Sequence, residues 1–326
     1  MDPRTAKSTV DHSESTADQF AADVRYYLSL TPRQLPSRYL YDDLGSALFE
    51  SICRLPWYTI TRTEMRMLAA RGEEVFRRVS TIANVVELGP GNGEKLHTLL
   101  TAAPRRTQTL DVHLVDVSAS ALDHASQTIG TVGNLRVHTH RATYDSGLRA
   151  ALRQRTGRTL VAFLGSNIGN FDPPGAAAFL QNIRASVHPG DAVLLGVDLV
   201  KPRERLLAAY DDPLGVTAAF NRNLLVRINR ELGGSIDLDA FSHRAVWNAE
   251  QRRVEMHLVA RSRQAVRISR AHLDVVLEPG EVIWTESSYK YERDQLEELV
   301  RACGLRPSAQ WIDSDDAFAL MVAEAL

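Results

Sequence analysis

Between Ala83 and Val200, near-continuous apolar runs alternate with amphipathic ones. The runs "ANVVELG", "LDVHLVDVS", "NLRVHTHRA", "TLVAFLGS" and "DAVLLGVDLV" are short and rich in Val and Leu, and read as strands. The segments between them, "GEKLHTLLTAA", "ASALDHASQTIG", "GLRAALRQR" and "PPGAAAFLQNIRASV", carry helical spacing. Strand–helix alternation of this kind predicts an α/β fold with a doubly wound, mostly parallel sheet. Strands that are apolar on both sides fit a sheet covered by helices on both faces.

The texture differs on either side. Residues 19–34 look helical, a short amphipathic helix follows Asp42 or Asp43 as its cap, and "TRTEMRMLAARGEEVFRRV" predicts a helix capped by Thr61 or Thr63. Residues 201–232 read as helices, and "HRAVWNAEQRRVEMHLVARS" and "QAVRI" as strand-like segments. We assign residues 19–64 and 200–289 to a second, smaller α+β domain and residues 65–199 and 290–326 to the sheet domain. The helix "RDQLEELVRACG" and strands near "SAQWID" and "AFALMVAEA" return to the first texture.

Composition narrows the class of protein. The 326 residues are 44% apolar and 24% charged, with a net charge of −2, so there is no electrostatic footprint for nucleic acid or an anionic membrane. No apolar run reaches spanning length. Cys53 and Cys303 are the two cysteines and form no metal-ligand spacing. We expect no metal, a disordered tail over residues 1–18, a cytoplasmic location, a monomer, and a small-molecule substrate.

The chemistry starts at "VVELGPGNGEKLHTLL", Val85 to Leu100. Gly89, Gly91 and Gly93 sit between a strand and a helix start, where a backbone can approach a ligand closely. A P-loop would need Lys followed by Ser or Thr, but Lys95 precedes Leu96. A dinucleotide fingerprint would need a third glycine where Glu94 stands. The remaining pattern, Glu87-x-Gly89-x-Gly91-x-Gly93, resembles the first motif of class I S-adenosylmethionine (SAM) methyltransferases, and a ligand-free tight turn is the alternative. In a doubly wound sheet, ligands lie outside the carboxyl ends of the strands. Asp116, ending the second strand, is placed to bind two ribose hydroxyls or to cap a helix. Thr143 and Tyr144, after the third strand, are candidates for the adenine or an ordinary loop. Lys95 either meets the methionine carboxylate of SAM or is solvated. Asn170, in "FLGSNIGNF", either binds a ligand or forms a turn before Pro173.

Longer stretches then carry a resemblance. "YDDLGSALFESICRLPWYTITRTE", "VELGPGNGEK", "FLGSNIGNF", "LLGVDLVK", "AAYDDPLGVTAAFNRNLLVRINREL", "DLDAFSHRAVWN", "VEMHLVAR" and "TESSYK" occur in this order. From about residue 20 to the C-terminus the chain resembles the histidine-specific SAM-dependent methyltransferases of ergothioneine biosynthesis. The resemblance implies a class I Rossmann-like fold with a substrate-binding domain closing over an amino acid. It implies methyl transfer to the α-amino nitrogen of L-histidine, three times over, giving trimethylhistidine (hercynine). By motif position it implies that Asn170 and Tyr210 hold the substrate carboxylate and that Glu286 and Ser288 bond the imidazole. Met256 packs against the ring, and Asn167, Tyr58 and Tyr41 lie near the substrate, Tyr41 as a positioning group. Glu87, Gly89, Gly91, Gly93, Lys95 and Asp116 serve SAM, with Thr143 and Tyr144 at the adenine. The chain departs from the family pattern in three places. Thr143-Tyr144 replaces an Asp-Phe pair, Asn167 replaces a threonine, and Trp57 and Thr59 alter the pattern before "TRTE". The rival readings are an N-methyltransferase of tryptophan or tyrosine, and a non-catalytic SAM-binding regulator.

Overall fold

The computed structural model describes residues 12–79, 81–103 and 108–326, with side chains from Ala17 onward. The described chain divides into two compact units. The larger comprises Phe49–Pro213, Val246–Val254 and Ser287–Leu326; the smaller comprises the chain up to Leu48, Leu214–Ala245 and Glu255–Glu286. These divisions fall at 48, 213 and 286, rather than at the expected 64, 199 and 289.

The N-terminal half runs α1 (His12–Leu28), β1 (Arg33–Gln34), α2 (Asp43–Arg54), α3 (Thr59–Arg78), β2 (Ile82–Leu88), α4 (Glu94–Thr101), β3 (Leu110–Asp116), α5 (Ala119–Ile129), β4 (Leu135–Arg141) and α6 (Tyr144–Arg153). Next come β5 (Arg158–Phe163), α7 (Pro173–Ser186), β6 (Ala192–Asp198), α8 (Arg203–Tyr210) and α9 (Val216–Leu232). The chain closes with β7 (Phe241–Asn248), β8 (Arg253–Ala260), β9 (Gln264–Ile268), β10 (Leu273–Leu277), β11 (Val282–Tyr289), α10 (Arg293–Ala302), β12 (Leu305–Asp313) and β13 (Phe318–Ala325).

The larger unit is built on a seven-stranded sheet of order β12-β13-β6-β5-β2-β3-β4. Strands β2 to β6 pair in parallel, and β13 lies antiparallel between β6 and β12. This is the doubly wound sheet expected. Its chain leaves β2 toward β4 on one side and returns to β5 on the other, so the switch point lies at the carboxyl ends of β2 and β5. On one face Val86, Leu88, Val161, Phe163, Val193 and Leu195 share a core with α6, α7 and α10. The intervening residues of each strand, Glu87 and Gly196 among them, face the other way by the period of two.

Three local expectations change. Residues 1–11 of the expected tail lie outside the described residues, whereas residues 12–18 are already helical in α1, which ends at Leu28. Phe20, Val24 and Leu28 recur every four residues and are buried, while the first turns carry no apolar stripe for periodicity to detect. Helix α3 starts at Thr59, after Tyr58, whose side chain makes no capping bond, so neither Thr61 nor Thr63 caps it. Thr63 is instead buried and donates to Asp316 Oδ2 at 2.6 Å. At α2, Asp42 does the capping, accepting the Gly45 N–H at 2.8 Å.

The smaller unit contains α1, α9 and the β9–β10 hairpin. A four-stranded sheet has the order β1-β11-β8-β7, and the smaller unit holds its β1 together with Phe241–Ala245, Glu255–Ala260 and Val282–Glu286. Periodicity anticipated β9 but not β10 or β11.

Strand β3 carries a histidine cluster beside the sheet edge. The His113 ring stacks on His138 at 4.6 Å and on His140 at 5.3 Å, and His113 Nδ1 lies 3.0 Å from His140 Nε2. Burial and the neighbouring His138 and His140 push His113 down from 6.5 to about 4. Between those values the unfolded chain holds a proton that the folded chain lacks. Stability is therefore fully present above about 6.5 and is lost as pH falls toward 4. We expect the urea midpoint to drop across that window and His113→Gln to flatten the drop; an unchanged slope in the variant assigns the acid limb to other groups.

Candidate active site

In the larger unit the glycine loop forms the floor of the site. Gly89 has φ +75°, and a Cβ there would lie 2.9 Å from the Tyr144 hydroxyl and 3.3 Å from Asn167 Nδ2. The missing side chain is thus what lets the loop, the start of α6 and the segment after β5 meet. The loop delivers the chain into α4, whose first N–H groups point outward from its N-terminus.

Glu87 closes the loop from beneath. It is buried, and its Oε2 has no hydrogen-bond partner among the described residues. Burial pushes its carboxyl up from 4.5 to about 8; Lys95 opposes this, and Glu64 and Asp116 add to it. An orphaned buried carboxyl is an acceptor in want of a donor, and the ammonium of SAM would supply one. Asp116, at the end of β3, accepts backbone N–H bonds from Val117 and Ser118, the latter at 2.9 Å. No side chain among the described residues occupies it, so acceptor capacity remains for two hydroxyls. These residues fit SAM.

Two predictions arise here. Between pH 4.5 and 8 the folded state holds a proton on Glu87 that the unfolded chain lacks, so this group makes stability fall as pH rises through that window. A bound cation favours the carboxylate and expels the proton. SAM affinity should therefore rise toward pH 8, with a binding heat that depends on the buffer, and Glu87→Gln should abolish the buffer dependence. Separately, Asp116→Ala should weaken SAM binding by about 1.5–3 kcal/mol through lost charge-assisted bonds. Unchanged affinity by calorimetry removes Asp116 from the site.

Lys95 is not a solvated helix residue. Its Nζ lies 3.3 Å from Oε2 of Glu64, which is fully buried on α3. The Glu64 carboxylate also accepts the Gly165 N–H at 2.9 and 2.8 Å. Glu64 thus ties the second residue after β5 to the first turn of α4. Sequence reading passed it over; the signal available was a glutamate on the apolar face of α3.

The two residues after β3–β4 separate. Thr143 is exposed and pairs its hydroxyl with Ser146 Oγ at 2.8 Å. Tyr144 enters an aromatic group, 5.4 Å from Phe163 and 5.9 Å from Phe179, which leaves its hydroxyl at Gly89.

After β5 the backbone takes a left-handed turn at Gly165 (φ +78°) and Ser166 (φ +58°). A non-glycine residue there is uncommon and is held by its surroundings. Ser166 Oγ accepts the Asp198 N–H at 2.9 Å. The turn presents Asn167 to the glycine loop. Asn170 is exposed, and its side chain has no hydrogen bond among the described residues. The cap of α7 is Asp172, which accepts the Gly175 N–H at 2.8 Å, so Asn170 is not needed as a turn former.

At the end of α8 the buried Tyr210 hydroxyl lies 2.8 Å from Ser288 Oγ. Tyr58 meets the Tyr210 ring edge-on at 6.2 Å. Trp57 and Thr59, the departures noted above, line a cavity of about 180 Å³ together with Asp198, Lys201, Arg205 and Tyr210. Lys290 is paired with Asp198, 2.9 Å from Oδ2.

In the smaller unit, Tyr41 packs edge-on against Phe220 at 5.5 Å. The stretch "FNRN" has a structural explanation. Asn221 accepts from Thr285 Oγ1 at 2.6 Å and donates to His243 Nδ1 at 2.9 Å and to the His257 carbonyl at 3.2 Å. Asn223 donates to Asp42 Oδ1 at 2.6 Å, and Arg230 pairs with Asp42 Oδ2 at 2.6 Å. Buried amides thus cross-link α9 to three strands and to the residue after Tyr41. Met256 is buried, and its carbonyl accepts from Thr285. Glu286 is buried on β11, where its carbonyl accepts the Trp284 indole N–H at 2.9 Å. Among the described residues no helix is long and apolar enough to cross a membrane.

The sheet order, the glycine loop and Asp116 define a class I SAM-dependent methyltransferase. The family described as histidine-specific, SAM-dependent methyltransferases matches residues 20–325. The chain belongs to that family. It is 40% identical over 313 residues to Histidine N-alpha-methyltransferase of Mycolicibacterium smegmatis, covering 95% of this chain and 96% of that protein. It is 40% identical over 321 residues to the protein of the same name in Mycobacterium tuberculosis, covering 97% and 98%. At 26% identity it is similar to L-tryptophan methyltransferase of Psilocybe serbica, over 90% of this chain and 88% of that protein.

Proposed function

We propose that the chain methylates the α-amino nitrogen of L-histidine with SAM as donor, in three successive transfers giving trimethylhistidine. The observation that carries the reading is the Tyr210–Ser288 pair, two buried hydroxyls 2.8 Å apart in a member of the histidine-specific family. One suits a carboxylate and the other a ring nitrogen. Asn170, whose amide has no partner among the described residues, joins Tyr210 at the carboxylate. Glu286 accepts from the imidazole N–H, Met256 packs on the ring, and Asn167, Tyr58 and Tyr41 position the amine.

SAM supplies a methyl group on a sulfonium sulfur, open to in-line attack by a neutral amine. The residues of the chain then have to hold the amine with its lone pair aimed, which is a positioning task. Proton loss from the amine to water suffices, so no obligatory general base is assigned. The tyrosine faces tolerate the quaternary charge of the product. We infer a monomer acting without a metal in the cytoplasm.

Incubation of the protein with SAM and a pool of amino acids, read by mass spectrometry, tests the reading. Histidine heavier by three methyl groups is the expected product. Methylated tryptophan or tyrosine in its place selects the rival substrate, and SAM binding with no product selects the regulator.

A further inference from the structure

Two family-like stretches, "GVDLVK" and "SSYK", end in residues to which the function above gives no task. They converge in the larger unit. Lys290 is buried, and its Nζ lies 2.9 Å from Asp198 Oδ2, 2.8 Å from the Tyr210 hydroxyl and 2.9 Å from Ser288 Oγ. An ammonium has three protons, and each has an acceptor here. On the far side of Asp198, Lys201 Nζ lies 2.6 Å from Oδ1, and both side chains are buried. Two cations thus share one carboxylate, which leaves the array one positive charge in excess.

We propose that Lys290, held by Asp198 and Lys201, is the positioning residue for the substrate α-carboxylate, acting through the hydroxyl of Tyr210. The inference rests on the histidine reading above. Lys290 takes up a lone pair on the Tyr210 oxygen and one on Ser288, and the Tyr210 hydroxyl donates to Ser288 Oγ. The Ser288 proton is thus left to point outward, and the Tyr210 proton turns from Ser288 to an arriving carboxylate, with Lys290 still on both oxygens. The uncompensated charge behind them favours an anion in front, at a site where little water screens it. A lysine beside a tyrosine can also serve to deprotonate it. Here Asp198 absorbs that influence. Burial works against the Lys290 cation, but Asp198 outweighs it and holds the ammonium above its usual value. Burial likewise pushes the Tyr210 phenol up in spite of Lys290, so the tyrosine keeps its proton and acts as a donor.

The test is Lys290→Met, alone and on a Tyr210→Phe background, with histidine kinetics and SAM binding by calorimetry. Alone, it should raise KM for histidine at least tenfold, change kcat by less than about threefold, and leave SAM affinity within twofold. On the Tyr210→Phe background the same change should add little, because its target hydroxyl is gone. A parallel fall in kcat and SAM affinity, or a full additive loss without the hydroxyl, overturns the proposal and makes Lys290 a structural ion pair. If Lys290→Met does not fold, Lys201→Met should raise KM in the same direction by a smaller factor, and an unchanged KM there overturns the proposal. An unaltered protein that binds SAM but takes no histidine overturns the functional reading itself, and this proposal with it.

Discussion

Gly196→Ala should disable SAM binding and destabilise the protein by about 3–5 kcal/mol, the cost of breaking a buried charged pair. A Cβ on Gly196 would stand 1.7 Å from Glu64 Oε1 and 2.9 Å from Glu64 Cδ, so the carboxylate must leave its place. Its departure strands the Gly165 N–H and removes the partner of Lys95. Both groups border the glycine loop, so the damage reaches the cofactor end although Gly196 touches no ligand. Differential scanning calorimetry and a SAM titration check the result. Combining Gly196→Ala with Glu64→Ala should cost less than the sum of the two, because the clash has lost one party. A Gly196→Ala protein that melts and binds SAM like the original shows that Glu64 has another place to go.

The second large effect concerns the choice of amino acid. Glu286→Ala should cost about 1.5–3 kcal/mol with histidine and nothing with tryptophan. A neutral imidazole has one N–H donor and one acceptor nitrogen. On the reading proposed above, Glu286 would accept from the donor, and the Ser288 hydroxyl, polarised by Lys290, would donate to the acceptor. A site built for such bonds rejects rings that lack them, because its own buried groups are then unpaired. An indole has an N–H but no acceptor nitrogen, so it cannot take both bonds, and removing the carboxylate narrows the difference between the two rings. In a competition assay the histidine-to-tryptophan ratio of kcat/KM should fall by roughly ten- to a hundredfold. Equal losses with both substrates, together with a lower melting temperature, make Glu286 a structural carboxylate instead.

Much of this protein could be read from the chain because its signals are local. The alternation of apolar runs and amphipathic segments specifies the parallel strands and their helices, since each period reports which face is buried. Three glycines after an apolar run mark a strand-to-helix turn, because left-handed backbone at closely spaced positions calls for them. Asp116 follows from its place at a strand end. The longer family-like stretches assigned Tyr210 to the carboxylate and Ser288 to the imidazole of one substrate; that the two hydroxyls lie 2.8 Å apart, 78 positions apart in the chain, came from the structure.

What only the tertiary structure decided are the partnerships that span the chain. Glu64, Lys95, Gly165 and Gly196 meet at one point although more than a hundred residues separate the first from the last. Lys290, Asp198 and Lys201 form one charged array, and His113, His138 and His140 one stack. No periodicity reports such meetings, because a charged or polar residue on a buried face looks locally like an exception to the pattern. The same holds for Thr143 and Tyr144, neighbours in sequence that the start of α6 sends to different surroundings, one to solvent and one into an aromatic core. Burial turns each of these exceptions into a requirement for a partner, and only the folded chain can bring that partner within reach.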